Sequence, residues 1–178
     1  MKNIILTFVV CFVVCVTGAA AQQSSTEQKG HKQSSPAMCP MHDAHSQMNE
    51  RGERGMGFSQ TATTHHFLLN PNGGVIQVEV NDPADTASRN NIRLHLNHIA
   101  QAFQNGDFDI PMFVHDTVPP GVPEMKQLRK NIRYAFEETP NGGRVIISSS
   151  DKGALAAIHE FLRFQIEEHK TGDPPQLR

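Results

Sequence analysis

Ten histidines and seven methionines stand out in this chain of 178 residues, because imidazole and thioether are metal-donor groups that a bland scaffold has no need to collect. They fall into two groups. Met38-Cys39-Pro40-Met41-His42-Asp43-Ala44-His45-Ser46-Gln47-Met48 packs one thiol, three thioethers and two imidazoles into eleven residues. Soft sulfur donors favour Cu(I), and Cys with His also suits zinc, which makes Cys39, Met41, His42 and His45 candidate ligands. The paired CxxC spacing of a structural zinc site is missing. The second group is His65, His95 and His98, with His115-Asp116 further along. Three imidazoles converging from rigid elements, with one coordination position left open, would be the arrangement of a catalytic zinc site. His115 would add a fourth ligand, and Asp116 would orient one by a hydrogen bond.

Whether the second group converges depends on the elements that carry it. His65–Leu69 and Val75–Val80 flank Asn-Pro-Asn-Gly-Gly, a hairpin signal whose glycines supply positive φ. Asp82-Pro83 ends the strand, and Thr86 or Ser88 caps a helix running to about Gln104. Its apolar stripe is Ile92, Leu96, Ile99 and Phe103. After a Pro-rich connection over 108–123 and a short basic helix to about Lys130, the pattern recurs. Ile132–Glu137 and Arg144–Ser149 flank Thr-Pro-Asn-Gly-Gly, and Asp151 opens a helix to about Lys170. This predicts an α+β fold: two duplicated ββα units forming a four-stranded antiparallel sheet, with both helices on one face and a shared core.

Superposing the two units places His65 on Tyr134, His95 on Phe161 and His98 on Phe164. Positions that are aromatic filler in the second unit are imidazoles in the first. Strand alternation puts His65 on the side of Phe67, towards the helices. At 100° per residue His95 and His98 lie roughly 60° and 120° from Ile92 on one flank, close enough to reach a common point. His66 is expected on the open side of its strand. His159 and His169 read as ordinary helix-surface residues, the latter near a helix C-terminus that favours positive charge.

The ends of the chain frame the domain. Lys2, the apolar run Ile4–Val16 and Ala19-Ala20-Ala21 read as a cleavable signal peptide over 1–21. Residues 22–57 lack apolar periodicity and are expected to form a flexible His/Met-rich arm. A single α+β domain is expected over 58–173, with a short tail over 174–178. Cleavage removes Cys11 and Cys15, leaving Cys39 as a lone thiol in a periplasmic or secreted protein. Net charge is −2, and without a basic stripe or stacking aromatics nucleic acid is not an expected partner. No membrane association is expected after cleavage. Phosphate-binding, nucleophile-elbow, HExxH and haem motifs are absent from the sequence.

Cys39-Pro40-Met41-His42 resembles the short segment of heavy-metal-binding modules associated with copper transport and efflux, without their usual aromatic residue and trailing Pro. That likeness implies metal contact by Cys39, Met41 and His42. Thr63-Thr64-His65-His66-Phe67, His95-Leu96-Asn97-His98-Ile99-Ala100 and Pro111-Met112-Phe113-Val114-His115-Asp116 resemble a family of uncharacterised exported bacterial proteins, which implies neither an activity nor a fold. The expectation is an exported metal-binding protein, with copper as the ion and zinc as the alternative, working through the His cluster and the arm. Its other partner would be a second exported protein. Two other readings stand beside it: a His-ligated metalloenzyme with His115-Asp116 as base and orienter, and a non-catalytic binding module whose histidines are structural.

Overall fold

The computed structural model describes residues 40–177, with side chains from residue 45 onward. Helix α1 (Pro40–Met56) leads into strands β1 (Thr63–Asn70) and β2 (Gly73–Val80), then helix α2 (Thr86–Asn105). Two short helices follow, α3 (Asp109–His115) and α4 (Val122–Gln127), with a single 3-10 turn over Arg129–Asn131. Strands β3 (Ile132–Thr139) and β4 (Gly142–Ser149) and helix α5 (Lys152–His169) complete the chain. The sheet is antiparallel throughout in the order β1-β2-β4-β3. The fold is α+β, built from two ββα units.

The units are joined through their second strands, and the register shows how. Gly73 pairs with Ser148, Glu79 pairs with Gly142, and Ile76 faces Val145 at the centre. Superposing one hairpin on the other exchanges these pairs, so a pseudo-twofold axis passes between Ile76 and Val145. The helices obey the same symmetry. Asp85 and Asp151 cap α2 and α5 by accepting the backbone N–H of Ser88 and of Ala154, each at 2.9 Å. Gly106 and Lys170, both left-handed, end them.

The glycines after each turn do something other than relax φ. Of Gly73, Gly74, Gly142 and Gly143, only Gly73 has a positive φ, +141°. A Cβ on Gly73 would run into the carbonyl of Ile147, and a Cβ on Gly142 into that of Val78. These are symmetry-related clashes across the β2–β4 seam. Gly74 and Gly143 leave room for Leu162 of α5 and Leu96 of α2. The four glycines therefore let the two central strands approach and let each helix sit down on the hairpin of the other unit.

Strand residues alternate between the helix-covered face, with Phe67, Leu69, Ile76, Val78, Val145 and Ile147 buried, and an open face that is exposed or half-buried. Edge backbone groups are capped by side chains. Asp173 accepts the N–H of Phe67 on β1 at 3.0 Å, and Gln104 accepts that of Tyr134 on β3 at 3.3 Å.

The expected flexible arm over 22–57 is corrected where it is described: residues 40–56 form α1. Its inward residues are His45, Met48, Asn49, Gly52 and Met56, which recur at helical spacing although only the methionines are apolar. Met48 is buried, and Arg51 Nε donates to the carbonyl of Val114 in α3 at 2.9 Å. The Pro-rich connection likewise contains a helix, α3, with Pro111 in its first turn, where a missing N–H costs nothing. Cys39 and the proposed signal segment lie outside the described residues, as do the side chains of Met41 and His42.

Gly73→Ala and Gly142→Ala should each lower stability by roughly 2 kcal/mol or more, since a backbone carbonyl cannot yield to the added methyl. Gly57→Ala, at φ +79° with nothing within 4 Å, should cost only about 1 kcal/mol. Urea unfolding midpoints of the three variants measure the difference.

Candidate functional site

Between the sheet and its helices lies a cavity of about 60 Å³, lined by His65, His95, His115 and His169 together with Met56 and Gln165. Most of its remaining wall is apolar, including Ile76 and Val78 from β2 and Leu96 and Ile99 from α2. The volume is room for a few water molecules or one small ligand.

Each imidazole reaches the cavity from a different element. His65 is on the covered face of β1. Its ring lies parallel to that of His169 on α5, with centroids 5.5 Å apart and planes 12° apart. His115 ends α3 and meets His169 edge-on, at 5.1 Å and 90°. His95 on α2 packs against Phe58 at 5.7 Å, and Phe58 stacks on His65 at 6.1 Å. His169 is thus the centre of the group, with His65 on its face and His115 against it.

His115 has a fixed tautomer if Gln165 Oε1 is its acceptor. Nε2 then carries the proton and donates across 3.0 Å, leaving a lone pair on Nδ1. That Nδ1 is buried without a hydrogen-bond partner, 3.9 Å from Glu168 Oε2. The Nε2 of His65 is likewise buried and unpartnered. The Nε2 of Gln165 is a third. Leaving a buried polar atom unpaired costs about 1–3 kcal/mol, so three of them on residues of one cavity are a feature that folding alone does not favour.

Burial keeps the rings neutral. Desolvation, followed by the positive charge His66 would carry, lowers His65 to about 4. Desolvation, followed by the charges of His65 and His98, lowers His95 to about 4. Desolvation drives His169 well below the ordinary imidazole value, with further contributions from His65, His115 and His45. His115 is also lowered by desolvation, against the opposing pull of Gln165 and Glu168. Neutral imidazoles with free lone pairs are the form that binds metal ions.

The expected site residues divide cleanly. His65, His95 and His115 share the cavity; His98 does not, because it is exposed on α2 beyond the flank that His95 occupies. Asp116 is an exposed cap residue in the left-handed region, φ 52°, and Gln165 is the side chain that orients His115. His45 is half-buried on α1 and lines grooves on either side of His169. Among the described residues no three His, Cys, Asp or Glu side chains are arranged to enclose one ion; the rings stack where the sequence reading had them converge.

His169, expected on the helix surface, is half-buried at the heart of the group. The signal lay in the repeat: extending the alignment of α2 with α5 places His169 on Phe103. Phe103 of α2 packs across on Tyr134 of β3 with centroids 5.7 Å apart. The symmetry-related pair is His169 of α5 on His65 of β1. His159 is also more than a surface residue, since its Nε2 lies 3.0 Å from the carbonyls of both Asn70 and Gly73 and ties α5 to the first turn. His66 does face the open side, where its Nδ1 is 3.1 Å from Asp173 Oδ1.

The depressed imidazoles set a pH dependence. Between about 6.5 and 4 the unfolded chain binds protons that folded His65 and His95 refuse, so stability should fall as pH drops through that window. At 1.36 kcal/mol per unit each residue contributes roughly 3 kcal/mol at the limit. Urea midpoints measured from pH 7.5 to 4.5 should show the decline, and His65→Tyr should make it shallower.

Comparison with family models, with curated proteins and with solved structures yields no match for this chain, so what the cavity does must be read from its own side chains.

Proposed function

We propose that this is an exported metal-binding protein that handles copper, holding the ion through His65, His115 and His169, with His95 and Met56 on the same wall. The observation that carries this reading is the pair of buried, unpartnered nitrogens, His65 Nε2 and His115 Nδ1, on two neutral rings packed against a third imidazole and its neighbours. A bound cation would use those lone pairs, and Gln165 holds His115 in the tautomer that presents one. Imidazole beside the thioether of Met56 is a donor set that suits Cu(I), with zinc the alternative ion. Loading would require the stacked rings to turn from their present arrangement.

Residues 1–21 have the three zones of a secretory signal, and no helix among the described residues is long and apolar enough to cross a membrane. The Cys39-Pro40-Met41-His42 segment, with its resemblance to copper-associated modules, adds soft donors where α1 begins. A metalloenzyme using His115-Asp116 as base and orienter is less favoured, because Asp116 is exposed and Gln165 occupies the orienting place.

The repeat supplies a variant that removes the donors without opening a hole. His65→Tyr, His95→Phe and His169→Phe together copy Tyr134, Phe161 and Phe103 onto their symmetry-related positions. The untagged mature chain should take up one more Cu(I) than this triple variant when titrated against a chromophoric chelator, while both keep the same far-ultraviolet circular dichroism. Equal uptake of Cu(I) and of Zn(II) by the two folded proteins would show that the cavity is not a metal site.

A further inference from the structure

The arm and the cavity were read from the sequence as separate donor groups, and one residue belongs to both. His45 projects from α1 into two surface grooves. In the first it stands with His65, His169 and Thr63; in the second with His115, Met48 and Glu168. Three imidazoles of the cavity, His65, His115 and the half-buried His169, thus border surface grooves that they share with His45.

The helix that carries His45 is not free of the site. Met48, one turn on, is buried, and Arg51 Nε donates to the carbonyl of Val114, the residue before His115. A Cβ placed on Gly55 would stand 3.5 Å from the ring of Phe113 and 3.7 Å from the side chain of Val114, so the two helices pass close together there. One face of α1 therefore grips α3, the helix whose last residue is His115. The other end of α1 leads directly back to His42, Met41 and Cys39 in the sequence. In the sequence the donor-rich segment leads to His45, and in the structure His45 borders the imidazole group.

Resting on the metal-binding reading above, we propose that His45 is the port of the cavity: an arriving Cu(I) ion binds His45 at the surface, is shared with His169, and passes inward to His65 and His115. The transfer is ligand exchange without redox change. Each incoming imidazole lone pair replaces an outgoing one, and His45 is released to accept the next ion or to leave the site closed. A port residue controls how fast the ion moves and not how many ions are held.

Stopped-flow transfer of Cu(I) from a chromophoric chelator to the full mature chain tests this. His45→Ala should slow loading of the cavity by about tenfold or more, on the scale seen when residues supporting a metal site are lost, with unchanged final stoichiometry. His45→Met, which restores a soft donor, should recover the rate for Cu(I) but not for Zn(II). His98→Ala, on the exposed flank of α2, should load as the parent does. Loading of His45→Ala at the parent rate would overturn the proposal. So would a fall in its stoichiometry, which would make His45 a resident ligand, or equal slowing by His42→Ala, which would place the effect in the arm as a whole. If the parent chain takes up no Cu(I), the metal-binding reading fails and the port with it; parent-like kinetics in His45→Ala with intact uptake sinks the port alone.

Discussion

The whole domain hangs on the close antiparallel contact of β2 with β4. Each ββα unit has one hairpin and one helix, too little apolar surface to be stable alone. Pairing about the axis between Ile76 and Val145 joins them into a four-stranded sheet with one core. That contact exists because Gly73 and Gly142 bring no side chain to the seam, where the carbonyls of Ile147 and Val78 stand in the way of any Cβ. From it follow the seating of α2 and α5, and so the positions of every imidazole in the cavity.

A symmetric frame with asymmetric contents separates structural from functional demand. On the side of β3 the space between helix and edge strand is filled by Phe103, Tyr134 and Phe161, packed edge to face. On the side of β1, His169, His65 and His95 stand at the matching positions. The frame accepts aromatic rings there, although Tyr134 also buries a hydroxyl without a partner. Imidazole at all three positions adds desolvation, and His65 adds an unpaired nitrogen.

Much of this architecture is legible in the sequence for definable reasons. Repeated Pro-Asn-Gly-Gly marks the turns, Asp151 sits where a cap belongs, and the apolar stripes of α2 and α5 fix their inward faces. The cap of α2 is Asp85 and not the expected Thr86 or Ser88, which lie inside the helix. The repeat also picks out His65 and His95, because a residue type that changes within a preserved pattern reports a local demand. Three features escaped. α1 has an inward stripe of His, Met, Asn and Gly, so a search for aliphatic periodicity passes over it. His98 shares a flank with His95 on a helical wheel, but a helix on a sheet buries only a narrow stripe, and His98 falls outside it. His169 was judged by its position near a helix end, where charge is favoured, when strand β1 and helix α3 close over that end and exclude water. Tertiary cover, which no single element encodes, made the difference for both.

Asp173 carries a consequence of a different kind. An edge strand is a template on which other chains can add, and β1 would offer one. The C-terminal segment folds back so that a buried carboxylate holds the Phe67 N–H and the His66 ring together. Gln104 covers another edge amide, that of Tyr134 on β3. A foreign strand seeking to lengthen the sheet would have to evict one of these side chains first. Both margins thus carry a side chain that competes with strand addition, and at β1 it comes from the segment that follows α5.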